Sequence, residues 1–175
     1  VNLLGHSMGG NVVSLYAGVR PERVRRLINL EGFGLQSTLP EQAPRRYAKW
    51  LDELREPPTL RSYADLPAVA ARLQKTNPRR SDARAAFLSQ HWAAQNAAGE
   101  WEILGDPQHK KPSPLLYHVE EVLACSRAIT APVMWVEAED TNMWQWMGPK
   151  EQARAEVDRR LSHLANVTAH MMPDA

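Results

Sequence analysis

Val1-Asn2-Leu3-Leu4-Gly5-His6-Ser7-Met8-Gly9-Gly10 reads as a buried strand running into a Gly-x-Ser-x-Gly turn and then into a helix. In such a turn the serine occupies a strained strand-to-helix corner, so the residues two before and two after it must be small for the backbones to pass. Gly5 and Gly9 meet that demand. Beyond the turn, Val12, Val13, Leu15, Tyr16 and Ala17 fall at spacings suited to a helix packed under a sheet, with no proline and no charge until Arg20. The N-terminus of that helix would point its free N–H groups and partial positive charge at the serine. Ser7 is therefore the candidate nucleophile, against the alternative of a structural turn serine. His6 is a candidate pocket wall, because successive residues on a sharp turn point apart and it cannot readily serve Ser7 as a base.

Composition excludes several other classes. The 175 residues carry 21 basic and 20 acidic side chains, a net charge of +1, with no basic track for nucleic acid. Arg45-Arg46, Arg79-Arg80 and Lys110-Lys111 read as solvated pairs at helix ends and turns. Cys125 is the only cysteine, so no internal disulfide is possible, nothing argues for an oxidising compartment, and a cytoplasmic setting with Cys125 as a small core residue is expected. No stretch approaches the ~20 apolar residues that span a bilayer. His91, His109 and His118 show no ligand spacing for zinc, so no metal and no cofactor is expected.

Between Gly32 and Thr130 the chain becomes rich in Pro, Arg and Ala with helical periodicity. Tyr47, Trp50, Leu51 and Leu54 predict one helix, ended by Glu56-Pro57-Pro58. Residues 65–76 predict a second, with Pro67 in its first turn and Leu66, Val69, Ala70 and Leu73 on one face. Ser81 is placed to cap a third, which carries Phe87, Leu88, His91 and Trp92. Residues 99–114 read as loop, and 115–125 as helix with Leu116, Val119, Val122 and Leu123 inward.

On either side of that segment the pattern returns to strands. Pro21-Glu22-Arg23-Val24 leads into Leu27-Ile28-Asn29-Leu30, and Ala131-Pro132-Val133-Met134-Trp135-Val136-Glu137-Ala138-Glu139-Asp140 reads as a strand closing on acidic residues. A helix over 149–164 then precedes the strand Val167-Thr168-Ala169-His170-Met171-Met172. From Val1 onward this order resembles the α/β-hydrolases, the superfamily of single-domain esterases, lipases and peptidases. The resemblance implies an α/β fold: part of a doubly wound parallel sheet, with core segments 1–35 and 129–175 and a helical cap inserted over 36–128.

It also implies roles. Asp140 carries over as the acid of a catalytic triad, with Glu31, at the end of the earlier strand, as its rival. The backbone N–H of Met8 belongs to the oxyanion hole, and the triad histidine is expected after the last strand, beyond Ala175, leaving His170 structural. Trp50, Trp92, Trp144 and Trp146 are candidate pocket residues, with the alternative that they cement cap to core. A serine at the elbow argues against the halide- and epoxide-opening members, which carry aspartate there. The expected substrate is a small-molecule carboxylic ester or another acyl compound. The alternatives are a non-catalytic binding relative and an inactive truncated product. With a mean hydropathy of −0.47 and an unpaired sheet edge, the 175-residue chain by itself is expected to be poorly soluble or molten.

Overall fold

The structure, a computed structural model, describes residues 1–56 and 58–174, without the side chain of Trp144. In chain order its strands are β1 (Asn2–His6), β2 (Arg26–Leu30), β3 (Ser62–Tyr63), β4 (Ala93–Gln95), β5 (Trp101–Ile103), β6 (Val133–Ala138) and β7 (Val167–Met172). The helices are α1 (Met8–Val19), α2 (Ala43–Arg55), α3 (Leu66–Thr76), α4 (Asp82–Trp92), α5 (Val119–Arg127), α6 (Trp144–Met147) and α7 (Lys150–Leu161). Contacts divide the chain into two units, one of residues 1–40 with 116–175 and one of residues 41–115.

The first unit is built on a parallel sheet, as the resemblance implies, and its strand order is β1-β2-β6-β7. Gly5 pairs with Asn29, Asn29 with Trp135 and Trp135 with Ala169, so alternate side chains of the four strands share a face. One face is covered by helices. Leu27 and Val133 pack with Ala17 of α1, while Trp135 packs with Val157 of α7 and with Met143 and Met147 around α6. The opposite face is open: Leu4 is 63% and Met134 39% exposed, and they line a groove of about 530 Å³ with Ile28, Thr168 and His170.

Several sequence expectations shift here. On α1 the buried positions are Gly10 and Ala17, whereas Val12, Leu15 and Tyr16 are exposed. The helix lies close to its neighbours, and small residues together with Val13 occupy the contact face. A Cβ on Gly18 would strike the Cys125 carbonyl of α5, which explains how the two helices cross. Consequently α5 groups with the sheet rather than with the inserted segment. It starts at Val119, leaving Leu115 exposed, and Cys125 is half-buried rather than core.

The second unit carries the expected helices. Asp65 caps α3 by accepting from the Ala68 N–H at 2.8 Å, and Ser81 caps α4 by accepting from the Arg84 N–H at 3.3 Å. Val69, Leu73 and Ala93 form its core, with Tyr63, Leu88, Trp101 and Ile103 against them. The stretch 99–114, expected to be loop, contains a strand: β5 pairs antiparallel with both β3 and β4. The turn joining β4 to β5 is set by the Asn96 side chain, which accepts from the Ala98 and Glu100 N–H groups, and by Gly99 at φ 81°. Strands of two and three residues are too short to show a period of two. On α2 no residue is fully buried, and Pro57, part of the breaker expected after it, lies outside the described residues. Among the described residues no helix is long and apolar enough to cross a membrane.

Candidate functional site

Ser7 stands between β1 and α1 with φ 51° and ψ −118°. A non-glycine residue there is strained by about 1–3 kcal/mol, and it persists only where the surroundings fix it. Two backbone hydrogen bonds do so, from Ser7 N–H to the Leu30 carbonyl at 2.8 Å and from Asn11 N–H to the Ser7 carbonyl at 3.1 Å. The chain also doubles back so tightly that a Cβ on Gly5 would overlap the Gly9 carbonyl. The second glycine requirement is displaced by one residue from the sequence expectation. A Cβ on Gly9 meets nothing within 4 Å, whereas one on Gly10 would lie 2.9 Å from the Gly32 Cα and against the Asn29 side chain. Gly10 turns into the sheet; Gly9 does not.

Because all four strands are parallel, their C-terminal ends share one edge, and Ser7, Glu31 and Asp140 follow the ends of β1, β2 and β6 there. His6 ends β1 and is exposed, as are Ser7 and Met8, the first residue of α1. Glu31 follows β2 with φ 53°; its N–H donates to the Val136 carbonyl at 3.0 Å, and its Oε1 accepts from the Ala138 N–H at 3.0 Å. Asp140 lies two residues past the end of β6 and is exposed. Neighbouring Glu139 is tied to the end of β7 by its N–H, which donates to the Met172 carbonyl at 3.0 Å. Trp146, in α6, is 66% exposed, and the side chain of Trp144 lies outside the described residues. Trp50 and Trp92 belong to the second unit, half-buried and exposed respectively. His170 sits within β7, paired with Val136.

The residues that hold the loop after β2 escape a reading by motif. Asn29 is 4% exposed in an otherwise apolar strand. Its Nδ2 donates to the Ser14 hydroxyl at 2.9 Å, and its Oδ1 accepts from the Gly32 N–H at 2.7 Å. Asn11 Oδ1 accepts from the Gly34 N–H at 2.9 Å. From α7, the Arg160 guanidinium donates to the Phe33 carbonyl at 2.8 Å and the Leu35 carbonyl at 2.9 Å. Thr38 and Tyr117 exchange bonds of 2.8 and 2.9 Å further along. A lone Asn within Leu27-Ile28-Asn29-Leu30 was the one signal of this in the sequence, since a buried amide must find partners. Among the described residues no group of three or more His, Cys, Asp or Glu could hold a metal ion.

The fold has counterparts. Residues 1–161 match the family model for the alpha/beta hydrolase fold. The hypothetical protein PA1622 from Pseudomonas aeruginosa PAO1 is 26% identical with a TM-score of 0.79, over 98% of this chain and 58% of that one. A thioesterase domain from the curacin biosynthetic pathway is 19% identical with a TM-score of 0.74, over 99% of this chain and 60% of that one. A Mycobacterium tuberculosis esterase is 18% identical with a TM-score of 0.65, over 99% of this chain and 55% of that one. The chain thus spans a little over half the length of these structures. No curated protein matches it. With the family model matched over β1, the elbow, β2, β6 and α7, this chain belongs to the alpha/beta hydrolase fold family.

Proposed function

We propose that this chain carries the nucleophile and the acid of a serine hydrolase acting on carboxylic esters. The observation that supports this best is the backbone of Ser7: strain at φ 51° and ψ −118° is maintained by two hydrogen bonds and a glycine-dependent crossing, and it lifts an exposed hydroxyl to the sheet edge at the start of a helix. In the proposed reaction Ser7 Oγ forms a bond to the acyl carbon while its proton passes to a general base. By the family resemblance that base is a histidine C-terminal to β7. The carbonyl electron pair moves onto oxygen, where the Met8 N–H receives it. Collapse expels the alcohol, which takes the proton back, and water repeats the sequence to release the acid.

Asp140 orients the base in this reading, with Glu31 as the rival. His6, Trp50, Trp92, Trp144 and Trp146 are the proposed pocket residues, and residues 41–115 of the inserted segment the proposed cap. An esterase and a thioesterase domain share the fold, and both names denote acyl hydrolysis.

The test is made on the full-length natural polypeptide. Wild type is expected to be labelled by a fluorophosphonate and to hydrolyse p-nitrophenyl esters, and Ser7→Ala to lose both. Asp140→Asn is expected to lower kcat by about 10⁴-fold, the loss seen when a triad acid is neutralised in a serine protease. An unlabelled, inactive wild type would mark a binding relative, and undiminished labelling of Ser7→Ala would place the nucleophile elsewhere.

A further inference from the structure

The sheet edge holds a second non-glycine residue in the left-handed region beside Ser7. Glu31 has φ 53°, a conformation glutamate has no intrinsic reason to adopt. It is held there at both ends of the residue. Its N–H donates to the Val136 carbonyl at 3.0 Å, and its Oε1 accepts from the N–H of Ala138, 107 residues further along the chain, at 3.0 Å. Ala138 is the last residue of β6, and its own carbonyl accepts from the Thr141 N–H at 3.2 Å, closing the turn that contains Glu139 and Asp140. The Glu31 side chain therefore grips the first residue of the turn on which Asp140 stands.

We propose that Glu31 is a positioning residue that holds the Ala138–Thr141 turn, and thereby Asp140, in place, and that it is not the acid of the triad; this rests on the serine-hydrolase reading above. What the bond to Ala138 requires is an acceptor oxygen at the reach of a glutamate side chain, not a negative charge. Glutamine supplies that oxygen; methionine keeps the length and lacks it. An acid that orients an imidazolium, by contrast, must be charged, so the same glutamine would disable it.

The experiment compares wild type, Glu31→Gln, Glu31→Met, Glu31→Ala and Asp140→Asn in the full-length polypeptide, reading Ser7-dependent ester hydrolysis across pH and hydrogen exchange at the Ala138 amide. Glu31→Gln is expected to stay within about threefold of wild type with an unchanged pH profile and a protected Ala138. Glu31→Met and Glu31→Ala are expected to lose about 10–100-fold in kcat with little change in KM, the scale of a small misplacement in a catalytic constellation, and to expose that amide. Should Glu31→Ala not fold, the Gln and Met pair carries the same contrast. A fall in Glu31→Gln as deep as that of Asp140→Asn overturns the proposal and makes Glu31 the acid. Activity and protection both unchanged in Glu31→Met overturn it too. A wild type without Ser7-dependent turnover defeats the hydrolase reading and the positioning role together, while exchange at Ala138 still reports whether Glu31 holds the turn.

Discussion

At the residue scale, two glycines of the elbow do different work, and the difference is measurable. Gly5 lies where a Cβ would overlap the backbone at Gly9, and backbone cannot be moved aside as a flexible side chain can. Gly5→Ala is expected to lower stability by about 3 kcal/mol, the upper range for overpacking, and to abolish phosphonate labelling of Ser7. Gly9 lies in the first turn of α1 with no atom within 4 Å of the place a Cβ would take, so Gly9→Ala gains helix propensity and is expected to raise stability by about 0.5 kcal/mol. Urea midpoints of the two variants check both signs. Gly34 differs from Gly5: the atoms a Cβ would meet are the ends of the Arg160 and Tyr117 side chains, and it is its φ of 83° that strains any side chain where the Asn11 bond pins the loop.

At the scale of one element, α7 shows how a polar sequence is made to dock. Only Ala153 and Val157 of its twelve residues are buried, so its apolar burial is small. Charged side chains secure it instead. Arg154 reaches Glu137 of β6 at 2.5 Å and Asp158 at 2.7 Å, and Glu137, 5% exposed, also accepts from Trp135 Nε1 at 3.3 Å. The Arg154 side chain is 34% exposed and Trp135 Nε1 still donates to the carboxylate in its absence, so Arg154→Ala is expected to destabilise by about 1–3 kcal/mol, read from the denaturant midpoint. Glu156 bonds Arg159 at 2.7 Å and Arg160 at 2.8 Å, and those guanidiniums, Arg159 first, hold its carboxyl at about 2 against an ordinary 4.5. A depressed folded value means that the stabilisation is fully present above about pH 4.5 and is lost as pH falls toward 2. Glu156→Gln is expected to remove that part of the acid slope. Urea midpoints of wild type and variant at pH 6 and pH 3 should differ more at the higher pH.

At the scale of the molecule, the sheet of the 175-residue chain has one face under helices and one face open, with Leu4 and Met134 in the groove. Buried-type strands left uncovered bind apolar probes and one another. The chain produced as these 175 residues is expected to bind an apolar dye and to self-associate, and Leu4→Glu with Met134→Lys to weaken both, as light scattering would show. The strand segments of the parallel sheet, the elbow, the α4 cap and the acidic end of β6 were legible from residue order, because periodicity, capping chemistry and the sterics of a tight turn act over a few neighbouring residues. The β3-β5-β4 sheet was not, since its pairing joins short segments up to 40 residues apart. Nor were the Asn29 amide bonds, the crowding at Gly10 or the grip of Glu31 on Ala138, each of which exists only once distant strands and helices lie side by side. Sequence by itself determined the strand segments of the parallel sheet, the main helices and which serine meets the turn; tertiary structure alone decided the short strands β3, β4 and β5 and which side chains hold that turn and its acidic neighbour, because a hydrogen bond across 107 residues leaves no local trace.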